Sequence, residues 1–259
     1  KDFTGDYYLS RDNDGTSRMK VVETLTAVFP SSDQNHGITR AIPFTNNAGT
    51  NLTMASDSNL KITVERNGVK EKVSNIEAYD GYFMVYIGDE NSYVHGEQVY
   101  TLTYEFENLI LDEDDSEGDF WQELYWDANG NDWTQRFDSV TANVHLTDEL
   151  IDGFDGGVVC FVGKYGSVNM DDCEIDVIDD GISFSAKKLA SREGLTFALS
   201  FEPGTFASPH VTYDYGLVTI LIVELLIGVA VIICTVAAVR SVQQKRKFYK
   251  GLFVKPEYT

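Results

Sequence analysis

Apolar and polar side chains alternate along most of residues 1–210. Met19, Val21, Glu23, Leu25, Ala27 and Phe29 fall on one face of a period-two segment, opposite Lys20, Val22, Thr24, Thr26 and Val28. That period marks a half-buried β-strand. LKITVE and VKEKV flank Asn67-Gly68, a pair that favours a two-residue hairpin turn. Further strands are expected in GYFMVYIG from Gly81, EQVYTLTYEF from Glu97, SVTANVHL from Ser139, GGVVCFVG from Gly156, CEIDVI from Cys173, GISFSA from Gly181 and LTFALSF from Leu195. Many short strands with no amphipathic helix between them predict an all-β fold over 1–210, an antiparallel β-sandwich. A sub-boundary near 147–155, in TDELIDGFDGG, would open a smaller second β unit.

The pattern then changes: Gly216 to Val239 is apolar with a single charge, Glu224. At about 1.5 Å per residue this helix would cross a hydrocarbon layer of about 30 Å with some tilt. A water-soluble fold seldom needs so long a helix without a polar face. Arg240, Lys245, Arg246, Lys247, Lys250 and Lys255 follow it, whereas VTYDYG before it has no basic residue. Positive charge stays in the cytoplasm, so the β region is expected outside and 240–259 inside as a basic tail. Tyr213 and Tyr215 stand where an outer interfacial belt would place them. A translocated N-terminal region implies a cleaved signal peptide ahead of Lys1. The tail residues Arg240, Lys245, Arg246, Lys247 and Lys250 suit adsorption on an anionic inner leaflet, at about 1 kcal/mol per basic residue near the surface.

Charge reinforces the division. Residues 1–215 carry 14 Lys+Arg against 39 Asp+Glu. Such a domain repels phosphate, which excludes nucleic acid as its partner.

Cys160 and Cys173 close CFVGKYGSVNMDDC, and Cys234 lies in the apolar helix. In an oxidising compartment the first two are expected to form a disulfide worth about 3 kcal/mol.

Glu23 lies among apolar neighbours on its strand face, and an unpaired buried carboxylate is costly. Arg40, in the loop HGITRAIP, is the expected partner, as a structural ion pair or as part of a ligand-facing surface. In WQELYWDANGNDWTQRF, the residues Trp121, Tyr125, Trp126, Asp127, Asn129 and Trp133 combine flat rings with hydrogen-bonding groups, the mixture used for carbohydrate or peptide recognition. Tryptophans in a sandwich are also core residues, and Asn-Gly is also a turn. The oxygens of Asp12 to Gly15, Asp127 to Asp132 and the run Asp112 to Asp119 depart from EF-hand spacing and suit loose divalent-cation binding at most. The sequence shows none of the serine-hydrolase, zincin, P-loop or dinucleotide signatures, so no catalytic residue, cofactor or tight metal site is expected. His36, His95, His145 and His210 are scattered.

Glu224 lies roughly 12 Å along the helix, where a bare carboxylate facing lipid would cost about 2.5 kcal/mol or more. It is expected to be protonated or to face another protein helix. Ala230, Cys234 and Ala238, at spacing four, would permit close approach of a membrane-protein partner or a second copy.

Taken in order, the DNDG turn before the Glu23 strand, HGITRAIP, GEQVYTLTYEF, ELYWDANGNDW, the paired cysteines and EGLTFALSF followed by the membrane helix resemble the bacterial YciQ-like predicted membrane proteins, domain of unknown function 2207. That resemblance implies a signal peptide, an outer β domain, a membrane helix and further helices beyond residue 259. It implies no enzyme activity and no cofactor, and it names no partner. The preferred reading is a non-enzymatic envelope protein whose outer β domain binds or scaffolds a surface partner. The rivals are an exported glycan hydrolase using paired carboxylates and an accessory subunit of a transporter or channel.

Overall fold

The computed structural model describes residues 1–44, 60–79 and 81–208, with the backbone also at 53–54 and 215–252 and helix side chains over 223–244. The chain divides into two compact units, Lys1–Val211 and Thr212–Thr259.

In the first unit the chain begins with β1 (Asp2–Arg11), β2 (Ser17–Phe29), β3 (Gly37–Pro43) and β4 (Thr53–Met54). The hairpin of β5 (Thr63–Arg66) and β6 (Val69–Lys70) leads to β7 (Val73–Tyr79), β8 (Tyr82–Gly88) and β9 (Gly96–Glu107). Then come β10 (Leu111–Asp114), β11 (Phe120–Asp127), β12 (Phe137–Leu146) and a one-turn helix, α1 (Asp148–Ile151). β13 (Phe154–Gly163), β14 (Glu174–Ile178), β15 (Gly181–Leu189) and β16 (Gly194–Phe201) complete the unit.

These strands build three sheets. The large one runs β14-β15-β12-β1-β2-β9-β5-β6 with β4 also on β9; the small one runs β10-β11-β16-β13; the third is β3-β8-β7. Pairing among the described residues is antiparallel except between β1 and β12, which run parallel. The fold is therefore all-β and predominantly antiparallel.

Local sequence accounts for much of this. In β2 the even alternation buries Ser17, Met19, Val21, Glu23 and Leu25. Asn67 and Gly68 have φ of 53° and 75°, the left-handed pair a tight hairpin requires. β1 buries Phe3, Tyr7 and Leu9 but places Gly5 in the same inward row. A Cβ at Gly5 would lie 2.5 Å from the Tyr7 hydroxyl, so only glycine leaves the ring its place.

The inner faces of the large and small sheets share one core. Tyr7 of β1 meets Phe197 of β16 and Trp126 of β11 edge-on, at 5.2 and 6.4 Å between ring centres. Phe184 of β15 stacks on Phe197 at 5.1 Å. HGITRAIP is strand β3 rather than a loop, held by a seven-residue register against β8 from Gly37↔Gly88 to Pro43↔Tyr82. The stretch 147–155 lies within the first unit, where α1 buries Leu150 and hands the chain to β13.

The second unit contains α2 (Tyr215–Leu252), a single helix of 38 residues. Every described side chain on it is exposed. Val223–Gln244, 22 residues of mean hydropathy 2.4, is long and apolar enough to cross a membrane. The side chains of Gly216 to Ile222, Lys245, Arg246, Lys247 and Lys250 lie outside the described residues, as do Tyr213, His210 and Lys255.

Candidate functional site

Glu23 and Arg40 form a buried ion pair, 1% and 2% exposed, which joins the large sheet to the three-stranded sheet. Arg40 Nε and Nη2 donate to the two Glu23 oxygens at 2.9 and 2.7 Å. The remaining guanidinium N–H groups donate to the carbonyls of Ala41, Asn129 and Ala128 at 2.7 to 2.9 Å. Tyr104 donates its hydroxyl to Glu23 Oε1 at 2.6 Å. Burial alone would lower the Arg40 pKa, but the Glu23 carboxylate outweighs it and holds it above its ordinary value. All five Arg40 donors are used inside the core, so the ligand-facing role for Arg40 is corrected: the residue is a clamp among three sheets.

The aromatic segment divides in two because β11 is a strand. Gln122, Leu124 and Trp126 point inward, whereas Trp121, Glu123, Tyr125 and Asp127 point to the solvent side. Trp126 is 4% exposed against Phe106 and Tyr7, and Asn129 is wholly buried. Asn129 donates to the Glu193 carbonyl, accepts from the Leu195 N–H and offers its own carbonyl to Arg40 and the Trp133 indole. Trp133 packs edge-on against Phe137 at 5.6 Å. Trp126 and Asn129 therefore leave the expected ligand surface, Trp133 stands half-buried in the wall of a separate cleft, and Trp121, Tyr125 and Asp127 share the outer face of β11.

Around those three lies the outer face of the small sheet, half-buried along β11 and buried at Ala198. Tyr125 pairs with Ala198, which pairs with Val159; Asp127 pairs with Thr196, which pairs with Phe161. Two shallow concavities lie along it. One, about 470 Å³, is lined by Trp121, Glu123, Asp155 and Ser200; the other, about 290 Å³, by Tyr125, Asp127, Phe161 and Tyr165. Burial pushes the Asp127 carboxyl above the usual carboxylate range, although the Thr196 hydroxyl 2.5 Å away and the Arg40 charge pull it down. Burial and then the Glu113 carboxylate raise Glu123, against a hydrogen bond from Trp121. Perturbed carboxyls in a concave aromatic setting are a signature of functional surfaces. The period of two along FWQELYWD is the sequence signal that separates this face, together with Glu123, from the core.

Elsewhere a cleft of about 400 Å³ opens between the end of β2, β3 and the segment 132–137, with Leu25, Phe29, Ile38 and Trp133 in its walls. It has apolar depth, with Asp132 at its rim. Among the described residues no group of three or more His, Cys, Asp or Glu is arranged to hold a metal ion. Asp115 of the acidic loop instead accepts the backbone N–H groups of Asp119 and Glu117, which hold its pKa low. His36, His95 and His145 each contact a carboxylate or carbonyl, and His145 also stacks on Tyr8 at 4.5 Å.

Cys160 and Cys173 are disulfide-bonded, with Cα atoms 6.2 Å apart. The bond ties β13 of the small sheet to the residue before β14 of the large sheet. On α2, Thr235 returns its hydroxyl to the carbonyls of Val231 and Ile232, so it needs no outside acceptor. Glu224, Ala230, Cys234, Ala238 and Arg240 are all exposed. At about 100° per residue, Ala230 falls about 120° around the helix from Glu224, while Gly228, Thr235 and Ala238 fall within about 40° of it. The stripe as read from sequence therefore does not share the face of Glu224 along its whole length.

A family model described as the N-terminal domain of predicted membrane protein DUF2207 matches residues 1–201. No curated protein matches the chain. Among solved structures, native leukotriene A4 hydrolase from Saccharomyces cerevisiae is 11% identical with a TM-score of 0.42, over 77% of this chain and 29% of that one. An M1 zinc metallopeptidase from Deinococcus radiodurans with a Tyr-Ser-Ala substrate is 8% identical with a TM-score of 0.34, over 76% and 41%. The yeast delta-COP-I mu-homology domain with a Dsl1 peptide is 10% identical with a TM-score of 0.20, over 78% and 74%. The chain thus spans less than half the length of the leukotriene A4 hydrolase and of the metallopeptidase, and at these scores the likeness assigns neither activity nor ligand.

Proposed function

The chain belongs to the DUF2207 family of predicted membrane proteins, and on that premise we propose that it is a membrane-anchored envelope protein whose acidic β unit binds a surface partner outside the cytoplasm. The binding surface is the solvent face of β11, β16 and β13, and the ligand class is a hydroxyl-rich polymer such as a glycan. One observation carries this reading: Trp121 and Tyr125 alternate with Glu123 and Asp127 on one half-buried outer face that two concavities cross. Flat rings stack on sugar faces while carboxylates accept hydroxyl hydrogen bonds.

Three features support the export of the β unit. The Cys160–Cys173 disulfide suits an oxidising compartment. Basic residues follow the candidate span. The VTYDYG segment before it carries none. Within the membrane, the Glu224 side of α2 packs against other helices, either of the same polypeptide or of a partner.

Spacing argues against Glu123 and Asp127 as a hydrolytic pair. Glu123 and Asp127 are four residues apart in one strand, about 13 Å, beyond the roughly 5 to 9.5 Å that flank a glycosidic bond in hydrolases. Asp155 lines the same concavity as Glu123, but its Oδ1 already accepts from Ser200 Oγ and the Gly157 N–H.

The test is titration of the detergent-solubilised full chain with a panel of neutral oligosaccharides. Trp121→Ala and Tyr125→Ala are expected each to weaken binding about tenfold, with Trp133→Ala neutral. Binding that depends on Trp133 and ignores Trp121 would contradict the assignment. Release of shortened oligosaccharides, abolished by Glu123→Gln, would establish the hydrolase instead.

A further inference from the structure

Among the described residues β14 is the outermost strand of the large sheet and pairs only with β15. Four of its five residues are exposed, so its outer edge presents backbone N–H and C=O groups to solvent. Two apolar side chains stand on this edge strand, Val177 at 84% exposure and Ile175 at 41%. Beside it the disulfide-closed loop holds out Tyr165, Val168 and Met170, at 89%, 79% and 57%. That loop is fixed, not loose: the Val162 N–H donates to the Asn169 carbonyl, Ser167 Oγ to the Val162 carbonyl, and Asn169 Nδ2 to Asp172. Five large apolar side chains are thus displayed between residues 165 and 177 on a stapled platform beside an open strand edge.

Charge selects the occupant. Six carboxylates lie between Asp171 and Asp180, and among the described residues Lys187 of β15 pairs with Glu174 of β14 at 3.4 Å. A second copy added edge to edge would set carboxylate against carboxylate, which disfavours self-pairing. An anionic lipid surface meets the same repulsion. We infer that β14 and the disulfide loop form a docking edge for an extended, basic and apolar segment of another exported protein, which adds as a strand beside β14. Backbone hydrogen bonds would supply affinity, the exposed apolar row would take alternate side chains, and the carboxylates would set the preference for lysine and arginine.

The experiment uses the full chain in detergent and two synthetic peptides, one alternating lysine with valine and one alternating glutamate with valine. Amide hydrogen exchange is followed with each. The lysine peptide is expected to protect the β14 amides and the glutamate peptide to leave them unchanged. Val177→Asp, at a position exposed enough to leave the unfolding transition alone, is expected to weaken the lysine peptide about tenfold. Protection by both peptides, protection spread over the acidic surface without β14, or concentration-dependent protection of β14 in the absence of peptide would overturn the inference. So would adsorption of the loop to neutral lipid vesicles with no peptide effect at β14.

Discussion

Arg40 and Glu23 illustrate how much a single buried pair can fix. The guanidinium bridges β3 to β2 and to the carbonyls after β11. Losing it leaves the buried Glu23 carboxylate without its counter-charge, with only the Tyr104 hydroxyl still donating to it, while the Ala128 and Asn129 carbonyls keep the Tyr7 hydroxyl and the Trp133 indole. Arg40→Ala is expected to destabilise the β unit by about 3 to 5 kcal/mol, measured by denaturant unfolding. Replacing both partners, Glu23→Leu with Arg40→Met, should cost less than Arg40→Ala alone; an unchanged midpoint for Arg40→Ala would contradict the clamp. Asp127 makes the opposite contribution. Its folded-state pKa is raised by burial, so the stability it contributes is complete below the unfolded pKa of about 3.9 and is lost as pH rises through the folded value. Asp127→Asn should raise the melting temperature near neutral pH, and its advantage should shrink as pH falls toward about 4. An advantage independent of pH would rule this out. The inward direction of Glu23 is legible in the sequence because strand periodicity assigns its face. The carbonyls of Ala128 and Asn129 that complete the Arg40 shell are not, because they arrive from 88 and 89 residues away.

At the scale of elements, alternation is the legible signal, and its interruptions hide structure. DFTGDYYLSR forms β1, yet Gly5 breaks its apolar row because the Tyr7 ring occupies the space a side chain would take. WQELYWDANGNDW reads as one polar-aromatic stretch until β11 is separated from the turn after it, which divides the tryptophans between face and core. The parallel pairing of β1 with β12 has no local signature, since it joins residues 137 apart. The disulfide acts on elements too, tying β13 to the start of β14. Cys160→Ala with Cys173→Ala is expected to lower unfolding free energy by about 3 kcal/mol and to remove the sensitivity to reductant. Equal stability of the wild type with and without reductant would deny it that role. On α2, Glu224→Leu should reduce the size of the assembly in mild detergent, because a polar side chain within the apolar span is stabilised by packing against another helix. An unchanged size would leave Glu224 without that contact.

For the whole molecule, one chain joins a strongly acidic β unit, 39 carboxylates against 14 basic side chains over residues 1–215, to an apolar helix followed by basic residues. The basic residues after the helix, with none in VTYDYG before it, give the proposed orientation, and the orientation decides what the aromatic face and the β14 edge can meet. Cysteine accessibility tests it most directly. Cys160 and Cys173 are bonded to each other, so a new thiol at Val168, 79% exposed, or at Lys255 can be read against the single native thiol of Cys234. With a membrane-impermeant maleimide on intact cells, Val168→Cys should label at once and Lys255→Cys only after lysis. Labelling of Lys255→Cys before lysis with Val168→Cys protected, or recovery of the full chain in the soluble fraction without detergent, would contradict the account.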